Sequence, residues 1–566
     1  MTSSLKECLR SLQPTLLSSV STCPPQVNPE HPEIAPQGVL DPETYQSIEA
    51  ARLFKLMDCT ETRIGSAVFL RSLANPLTDL SLLEAKQESI RALERNPDLR
   101  QRVQSLVSGL RNKEQKLYDL LFGTFLGLIG SKANPLEVEG YGYDAFIHGN
   151  SFLTLAANGA ADLKGTGHPY LDAILESMSD FRESRAYRLA RGPVYRTEKG
   201  VIPKEEKSIL TPCVRFNPSL FKPLGIAIFL GLLFLVGSFV PVLLDLVAGL
   251  AGAFWIFLFP LAFLYIPIMG GFDRDGCIYP FRDQLKKSPE VHRLLDDIGL
   301  LDELLCLLRY PEKVAPHAAI LPSLENLERF QASFKGIRNP ILAAEMQNYV
   351  GNDIDLSKVR LTLITGPNSG GKTAFCKTLA QSQLMAQIGG FVVAEAACTT
   401  LADKIRHQAP EISQLRDGEG RFGTELRRTK EIFMSISPRS LVIMDELSEG
   451  TTHEEKIEIS MNILDGFSKK GNSTLLITHN HALVEKYVGR KDAQTRQVEF
   501  VEGHPSYRLV PGISRVSHAD KVAARIGFSK ADIERHLAEG QLPGVESTTT
   551  TPRQGKKKSD VPGKSG

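Results

Sequence analysis

Apolar residues recur at helical spacing from Leu40 to about Leu128, as in Leu82, Leu83, Ala85, Ile90 and Leu93 among many charges, which predicts a helical domain. Residues 135–215 are less periodic and are punctuated by Gly140, Gly142, Gly149, Gly159, Gly165 and Gly167, though Leu171 to Arg191 again has helical spacing. Amphipathic helices are expected once more over 285–335, where Leu294, Leu295, Ile298, Leu300, Leu301, Leu304 and Leu305 form an apolar face. Farther on, Val359 to Thr365, Ser440 to Met444 and Ser473 to Thr478 read as buried strands, and Ala374 to Ala386 as a helix.

Between the helical segments lies a run of another kind. From Pro223 to Gly271, 49 residues carry one charge, Asp245. One helix of that length would be about 73 Å long, over twice the ~30 Å hydrocarbon thickness, so it has to fold back. Pro241 and Asp245 offer the break, which predicts a transmembrane helical hairpin over 216–272 with spans near Pro223 to Val240 and Val242 to Pro267. Arg215 and Lys222 precede the run, and Arg274, Arg282, Lys286 and Lys287 follow it. The positive-inside tendency then puts both ends, and with them both termini, in the cytoplasm. Two other readings stay open: a hairpin buried in a soluble core, and one span with an interfacial helix, which the cationic flanks disfavour.

Composition narrows the picture only in places. A chain of 566 residues suggests roughly three to four domains. A net charge of +1 excludes a global basic field, so contact with nucleic acid would need a local patch. The 8 cysteines form no Cys-x-x-Cys pair, and reduced thiols in a cytosolic setting are expected rather than a zinc site. Met1 to Val20 does not resemble a secretion signal, and residues 1–38, rich in Ser and Pro, suit a disordered leader. After Glu546 a polar stretch and Lys556-Lys557-Lys558 suit a disordered basic tail over 541–566.

The chemistry concentrates between the strands. Gly366, Pro367, Asn368, Ser369, Gly370, Gly371, Lys372 and Thr373 form a Gly-x-x-x-x-Gly-Lys-Thr loop between a strand and a helix. The glycines let backbone N–H groups approach phosphates, Lys372 neutralises the β- and γ-phosphates, and Thr373 offers a hydroxyl to Mg²⁺. Asp445 and Glu446 follow the second strand, as a metal-holding acid and a residue that polarises the attacking water. His479, after the third strand, is placed to sense the γ-phosphate. The cofactors expected are therefore a nucleoside triphosphate and Mg²⁺.

These residues point to a family. Leu363 to Thr373, followed by Ala386-Gln387-Ile388-Gly389-Gly390-Phe391-Val392, resembles the ATPase domain of the MutS mismatch-repair family. Asn352-Asp353 resembles the family's nucleotide loop, Phe422-x-x-Glu425 its Phe-x-x-Glu segment, and Asp445-Glu446 with Gly450-Thr451 its acid motif. Thr478-His479, Tyr507 to Ser514, Ser517-His518 and Ala523 to Gly527 continue the pattern. Asp58 to Thr62, Gly65, Leu70-Arg71 and Asn75 to Asp79 resemble the family's helical core, so the likeness covers roughly 40–130 and 285–540. It implies a homodimer of ABC-like ATPase heads with a composite ATP site, adenine selectivity, and lever helices reaching a distant working end.

Three departures accompany the likeness. There is no room ahead of Leu40 for a mismatch-recognition domain, and the stretch lacks a Phe-x-Glu wedge. The small hydroxyl residues expected before Phe422 are Gly420 and Arg421, so that Arg421 either substitutes as a trans-acting finger or marks slower hydrolysis. The apolar run falls where levers would extend to a DNA clamp.

The fold expected is thus α+β and multidomain. A helical core and lever domain spans 39–215, the transmembrane hairpin 216–272 and returning levers 273–338. An ABC-like P-loop ATPase spans 339–540. The leading functional expectation is a membrane-anchored ATPase acting on double-stranded DNA, with Arg182, Arg185, Arg188, Arg191 and Arg196 as a basic row; a solvated face or an anionic-lipid site reads the same row differently. The alternative is a membrane mechanoenzyme or scaffold without nucleic acid. An ABC-type transporter is disfavoured, since two spans per chain make a thin pathway and no Leu-Ser-Gly-Gly-Gln-like signature occurs.

Overall fold

The computed structural model describes residues 24–208 apart from 33 and 129, 212–222, 265–367, 370–409, 420–447, 453–514 apart from 503, and 526–539, with isolated positions at 5, 226, 228, 231 and 235. Residues 1–514 make one unit and 515–566 a second, of which the helix Lys530–Glu539 is described.

The helical half is closed by segments far apart in sequence. Arg63–Ala74 is capped by Thr62, whose hydroxyl accepts from Gly65 N at 2.8 Å, and it packs on the helix Pro289–Lys313. The approach is close because of two glycines: a Cβ on Gly65 would come within 2.2 Å of Asp302, and one on Gly299 within 2.3 Å of Val68. Asp302 accepts from Thr62 N and Thr62 Oγ1, both at 2.8 Å, and from Glu61 N at 3.0 Å. Two further buried ion pairs tie the same helix to its neighbours, Arg71 to Asp296 at 2.9 Å and Lys86 to Glu303 at 3.0 Å. Pairs of this kind add little net stability over apolar packing, but removing one partner strands a buried charge, so they fix which helix faces which.

The leucine face ends with this helix. Residues 323–337, expected to be helical, instead give strands Ser323–Glu325 and Ala332–Ile337 of a four-stranded sheet completed by Asn352–Asp355 and Ala396–Thr400. The reason is the period: burial alternates along Ala332, Ser333, Phe334, Lys335 and Gly336 as on a half-covered strand.

A second sheet runs, in spatial order, Ile405–Gln408, Leu441–Asp445, Ser473–Ile477, Leu361–Thr365, Ala493–Val501 and His504–Pro511. All neighbours are parallel except the last hairpin. The strand Leu361–Thr365 is buried throughout and leads into the helix Lys372–Gln387. That helix carries three buried glutamines, each with its amide engaged. Gln387 Nε2 donates to Leu77 O at 3.1 Å and Ala402 O at 2.9 Å, Gln383 Nε2 to Thr400 O at 2.9 Å, and Gln381 Nε2 to Ile48 O at 2.7 Å. Lys377 adds an ion pair to Glu49 at 2.6 Å.

The expected transmembrane hairpin is not supported. Among the described residues no helix is long and apolar enough to cross a membrane. The expectations of two spans, a lipid partner, a membrane location and cytoplasmic ends that rested on it therefore fall. Most of 223–264 lies outside the described residues. The margins of the run are engaged with protein. Residues 265–273 are helical, and Gly270 packs so closely on Tyr141 that a Cβ would come within 2.5 Å of its ring. Lys222 pairs with Asp273, to which Tyr143 Oη donates at 2.6 Å. Arg274 donates to Phe125 O at 2.9 Å and Arg282 to Gly123 O at 2.9 Å. Three of the six flanking cations thus have local partners, and hydropathy alone does not tell a protein-covered segment from a lipid-covered one.

Burial pushes the Asp302 carboxyl up to about 6 from 3.8, against the Thr62 and Glu61 donors that pull it down. The native state therefore keeps this proton to higher pH than the unfolded chain does, and the group's contribution to stability falls as pH rises from about 4 to about 6, then levels off. In urea denaturation at pH 4.5 and 6.5, wild type is expected to lose about 2 kcal/mol relative to Asp302→Asn between the two pH values. An unchanged difference would show that Asp302 is ionised throughout.

Candidate functional site

The strand Leu361–Thr365 delivers Gly366 in a conformation that L side chains rarely adopt, φ +137°, and Gly371 caps the following helix at φ +81°. A Cβ at Gly366 would also press on Val498 at 3.0 Å. The loop therefore needs glycine for backbone as well as for space. Asn368 and Ser369 lie outside the described residues. Lys372 is 2% exposed, and its Nζ donates to the carbonyls of Gly366 at 2.6 Å and Pro367 at 2.8 Å. Burial pushes its pKa down to about 8, with Asp445 and Glu446 opposing.

The second strand places its acids against this loop. Thr373 Oγ1 donates to Asp445 Oδ2 at 2.8 Å, so the two expected Mg²⁺ ligands share one point. Burial pushes the Asp445 carboxyl up, while Thr373 and Lys372 pull it down. Glu446 turns the chain out of the strand with φ 66° and is 6% exposed. Its Oε1 accepts from Thr478 Oγ1 at 2.9 Å and Lys456 Nζ at 3.0 Å, and its Oε2 from His479 N at 3.0 Å. The imidazole of His479 is exposed beside this cluster. Lys372, Thr373, Asp445, Glu446 and His479 are thus gathered at one end of three adjacent parallel strands.

Asn352 sits apart, on the four-stranded sheet, and bridges to the second one. Its Nδ2 donates to Tyr507 O at 3.1 Å and its Oδ1 accepts from Leu509 N at 2.7 Å. It lines a cavity of about 600 Å³ with Arg338, Tyr349, Asp353 and Arg508. Phe422 is half-buried on the helix Gly420–Ser435, which packs on the edge strand Ile405–Gln408, three strands from the loop. The side chain of Arg421 lies outside the described residues. Phe422 is not brought to the loop within this chain.

The arginine row does not form one face. Arg182 is in a short 3₁₀ turn, Arg185, Arg188 and Arg191 are on the helix Arg185–Arg191, and Arg196 is on the strand Val194–Thr197. Arg185 pairs with Glu206 at 2.6 Å, Arg188 donates to Glu183 O at 2.9 Å, and Arg196 stacks 3.8 Å from the Phe272 ring centroid. Sequence reading missed Tyr349 and Lys456, and named Thr478 as part of the strand-end pattern without its bond to Glu446. The signals available were an aromatic three residues before Asn352, a hydroxyl at the strand end, and a cation in the first turns of a helix.

A buried parallel strand, a glycine loop capping a helix, and an acid pair on the next strand but one lie together in one α/β sheet domain. Residues 362–537 match the family described as MutS domain V. Endonuclease MutS2 of Thermus thermophilus is 31% identical over 281 residues, 46% of this chain and 36% of that protein. DNA mismatch repair protein MutS of Porphyromonas gingivalis is 33% identical over 257 residues, 43% and 29% of the two chains. DNA mismatch repair protein msh3 of Aspergillus oryzae is 34% identical over 296 residues, 48% and 26%. Residues 362–537 thus carry the MutS domain V match, and the matched part of the chain spans about a third or less of the length of these relatives.

Replacing Asn352 with Ala leaves the part-buried Leu509 N–H without its acceptor and the exposed Tyr507 carbonyl to water. The expected cost is about 1–2 kcal/mol of local stability, read as hydrogen exchange at the Leu509 amide faster by about tenfold. Unchanged exchange would mean that the hairpin holds its own register.

Proposed function

We propose that this chain is a Mg²⁺-dependent ATP hydrolase that works on DNA as a homodimer. The observation that carries the reading is the convergence of Lys372, Thr373, Asp445 and Glu446 on one point of the phosphate loop. Thr373 Oγ1 and Asp445 Oδ2 are hard oxygen donors of the kind Mg²⁺ takes, and they already touch, so the residues fit the ion. Bound there, Mg²⁺ supplies positive charge to the phosphate oxygens. The carbonyls of Gly366 and Pro367 hold the Lys372 ammonium where phosphate oxygens would replace them.

Glu446 orients a water for attack on the γ-phosphorus; the bond from that phosphorus to the β–γ bridging oxygen breaks, and ADP and inorganic phosphate leave. His479, its N–H on Glu446, is placed to report loss of the phosphate. The cavity beside Asn352 and Tyr349 suits the purine, with Tyr349 as a stacking face. The resemblance puts Arg421 and Phe422 opposite the partner's nucleotide in a dimer. The glutamine-bonded helix Lys372–Gln387 would carry loop displacement into the helical half as lever movement.

DNA as the working substrate is supported by the relatives' names, two of them mismatch-repair proteins and one an endonuclease. Purified protein should turn over ATP, and Lys372→Ala or Glu446→Gln should each lower kcat by about 100-fold or more. Chelating Mg²⁺ with EDTA should abolish turnover. Duplex DNA should stimulate it, with the effect fading steeply between about 50 and 200 mM salt, about a thousandfold in affinity for some six phosphate contacts. Retained activity in both variants would sink the ATPase reading, and salt-independent rates with and without DNA would sink the DNA one.

A further inference from the structure

The contact between Lys456 and Glu446 serves none of the roles above. Lys456 stands in the first turns of the helix His453–Lys470, behind Glu454 and Glu455. Acidic residues suit that end of a helix and a cation does not, since the helix dipole is positive there. Nor can Lys456 face Glu454 or Glu455, because neighbours one and two residues apart do not share a helix face. It reaches instead to Glu446, ten residues back, with Nζ 3.0 Å from Oε1 and side-chain exposures of 18% and 6%. A lysine placed against local preference and compensated by one buried acid is a feature of the site rather than of the helix.

The carboxylate is nearly fully committed. Oε1 accepts from Lys456 and Thr478, and Oε2 from the His479 N–H. An ionised carboxylate offers about four lone-pair positions, about two on each oxygen, so Oε1 is filled while Lys456 and Thr478 hold it, and the one open position is on Oε2 beside the His479 N–H. Thr478 and the His479 amide belong to the strand end and its continuation, and they hold Glu446 wherever the sheet is intact. Lys456 is different, because it comes from a separate helix and can leave without disturbing the strands.

We propose that Lys456 is a positioning residue that restrains Glu446, occupying the oxygen that would otherwise take the attacking water, so that hydrolysis waits on separation of the pair. The inference rests on the ATPase reading. Lys456→Met should raise kcat about fivefold, a small lowering of the barrier. KM for ATP and the Kd of a non-hydrolysable ATP analogue should shift by less than about twofold, since the phosphate-binding residues are untouched.

Lys456→Arg, which keeps the charge and donors, should retain the wild-type rate, and Glu446→Gln in the Lys456→Met background should remove the gain. Melting temperatures identify any variant that does not fold, and Lys456→Gln, which keeps a hydrogen-bond donor without charge, is then read in place of Lys456→Met. A kcat that falls or stays level with normal analogue binding overturns the restraint and leaves the ATPase reading intact. Failure of wild type and every variant to bind the analogue overturns the ATPase reading and this inference with it.

Discussion

The hydrogen bonding of three glutamines on the helix Lys372–Gln387 is the constraint on which the rest of the first unit depends. A helix buried between a sheet and a helical half has to satisfy every polar side chain it carries, because an unpaired buried amide costs about 1–3 kcal/mol. Gln381 meets the backbone at Ile48, Gln387 meets Leu77 and Ala402, and Gln383 meets Thr400. Their partners come from the helical half and from the end of the strand Ala396–Thr400 with the residues just after it. The position of Gly366 to Thr373 is therefore set by both, and neither can shift alone without breaking a buried bond. The ion pair of Lys377 with Glu49 adds a charged strut on the same helix.

What the sequence disclosed follows from range. The strand, loop and helix around Gly366 are legible because every determinant lies within some thirty residues, and the observed strands Leu361–Thr365, Leu441–Asp445 and Ser473–Ile477 begin and end within two residues of the expected ones. The contact of Thr373 with Asp445 could be inferred from the motif pair. The link from Lys456 to Glu446 could not, because it depends on how a helix re-enters after the strand. Arg71 with Asp296 and Lys86 with Glu303 were invisible for a stronger reason: each joins residues more than two hundred positions apart.

The two larger misreadings share a cause, which is that composition was interpreted without neighbours. Lys222, Arg274 and Arg282 looked like free cations flanking a membrane span, yet each has a partner supplied by the helical half or by Asp273. The arginines from 182 to 196 looked like one basic stripe, yet a helix end and a strand divide them, and Arg185 and Arg196 are occupied by Glu206 and Phe272. A charge counts toward an outside partner only after its inside partners are subtracted.

The packing of Arg63–Ala74 on Pro289–Lys313 has a consequence for how the chain is made. Ile64, Val68 and Phe69 are fully buried in the finished protein, and Gly65 and Gly299 admit the close approach that buries them. On a ribosome, those residues emerge well before their covering helix does. At roughly 5–20 residues per second, the wait for some 230 residues is on the order of 10–50 seconds. For that time the nascent helical half shows an apolar face with its final neighbour still unsynthesised, and the apolar run from Pro223 to Gly271 is threaded out in between. Synthesis order, rather than final stability, is then the stage at which this protein has most need of protection from aggregation.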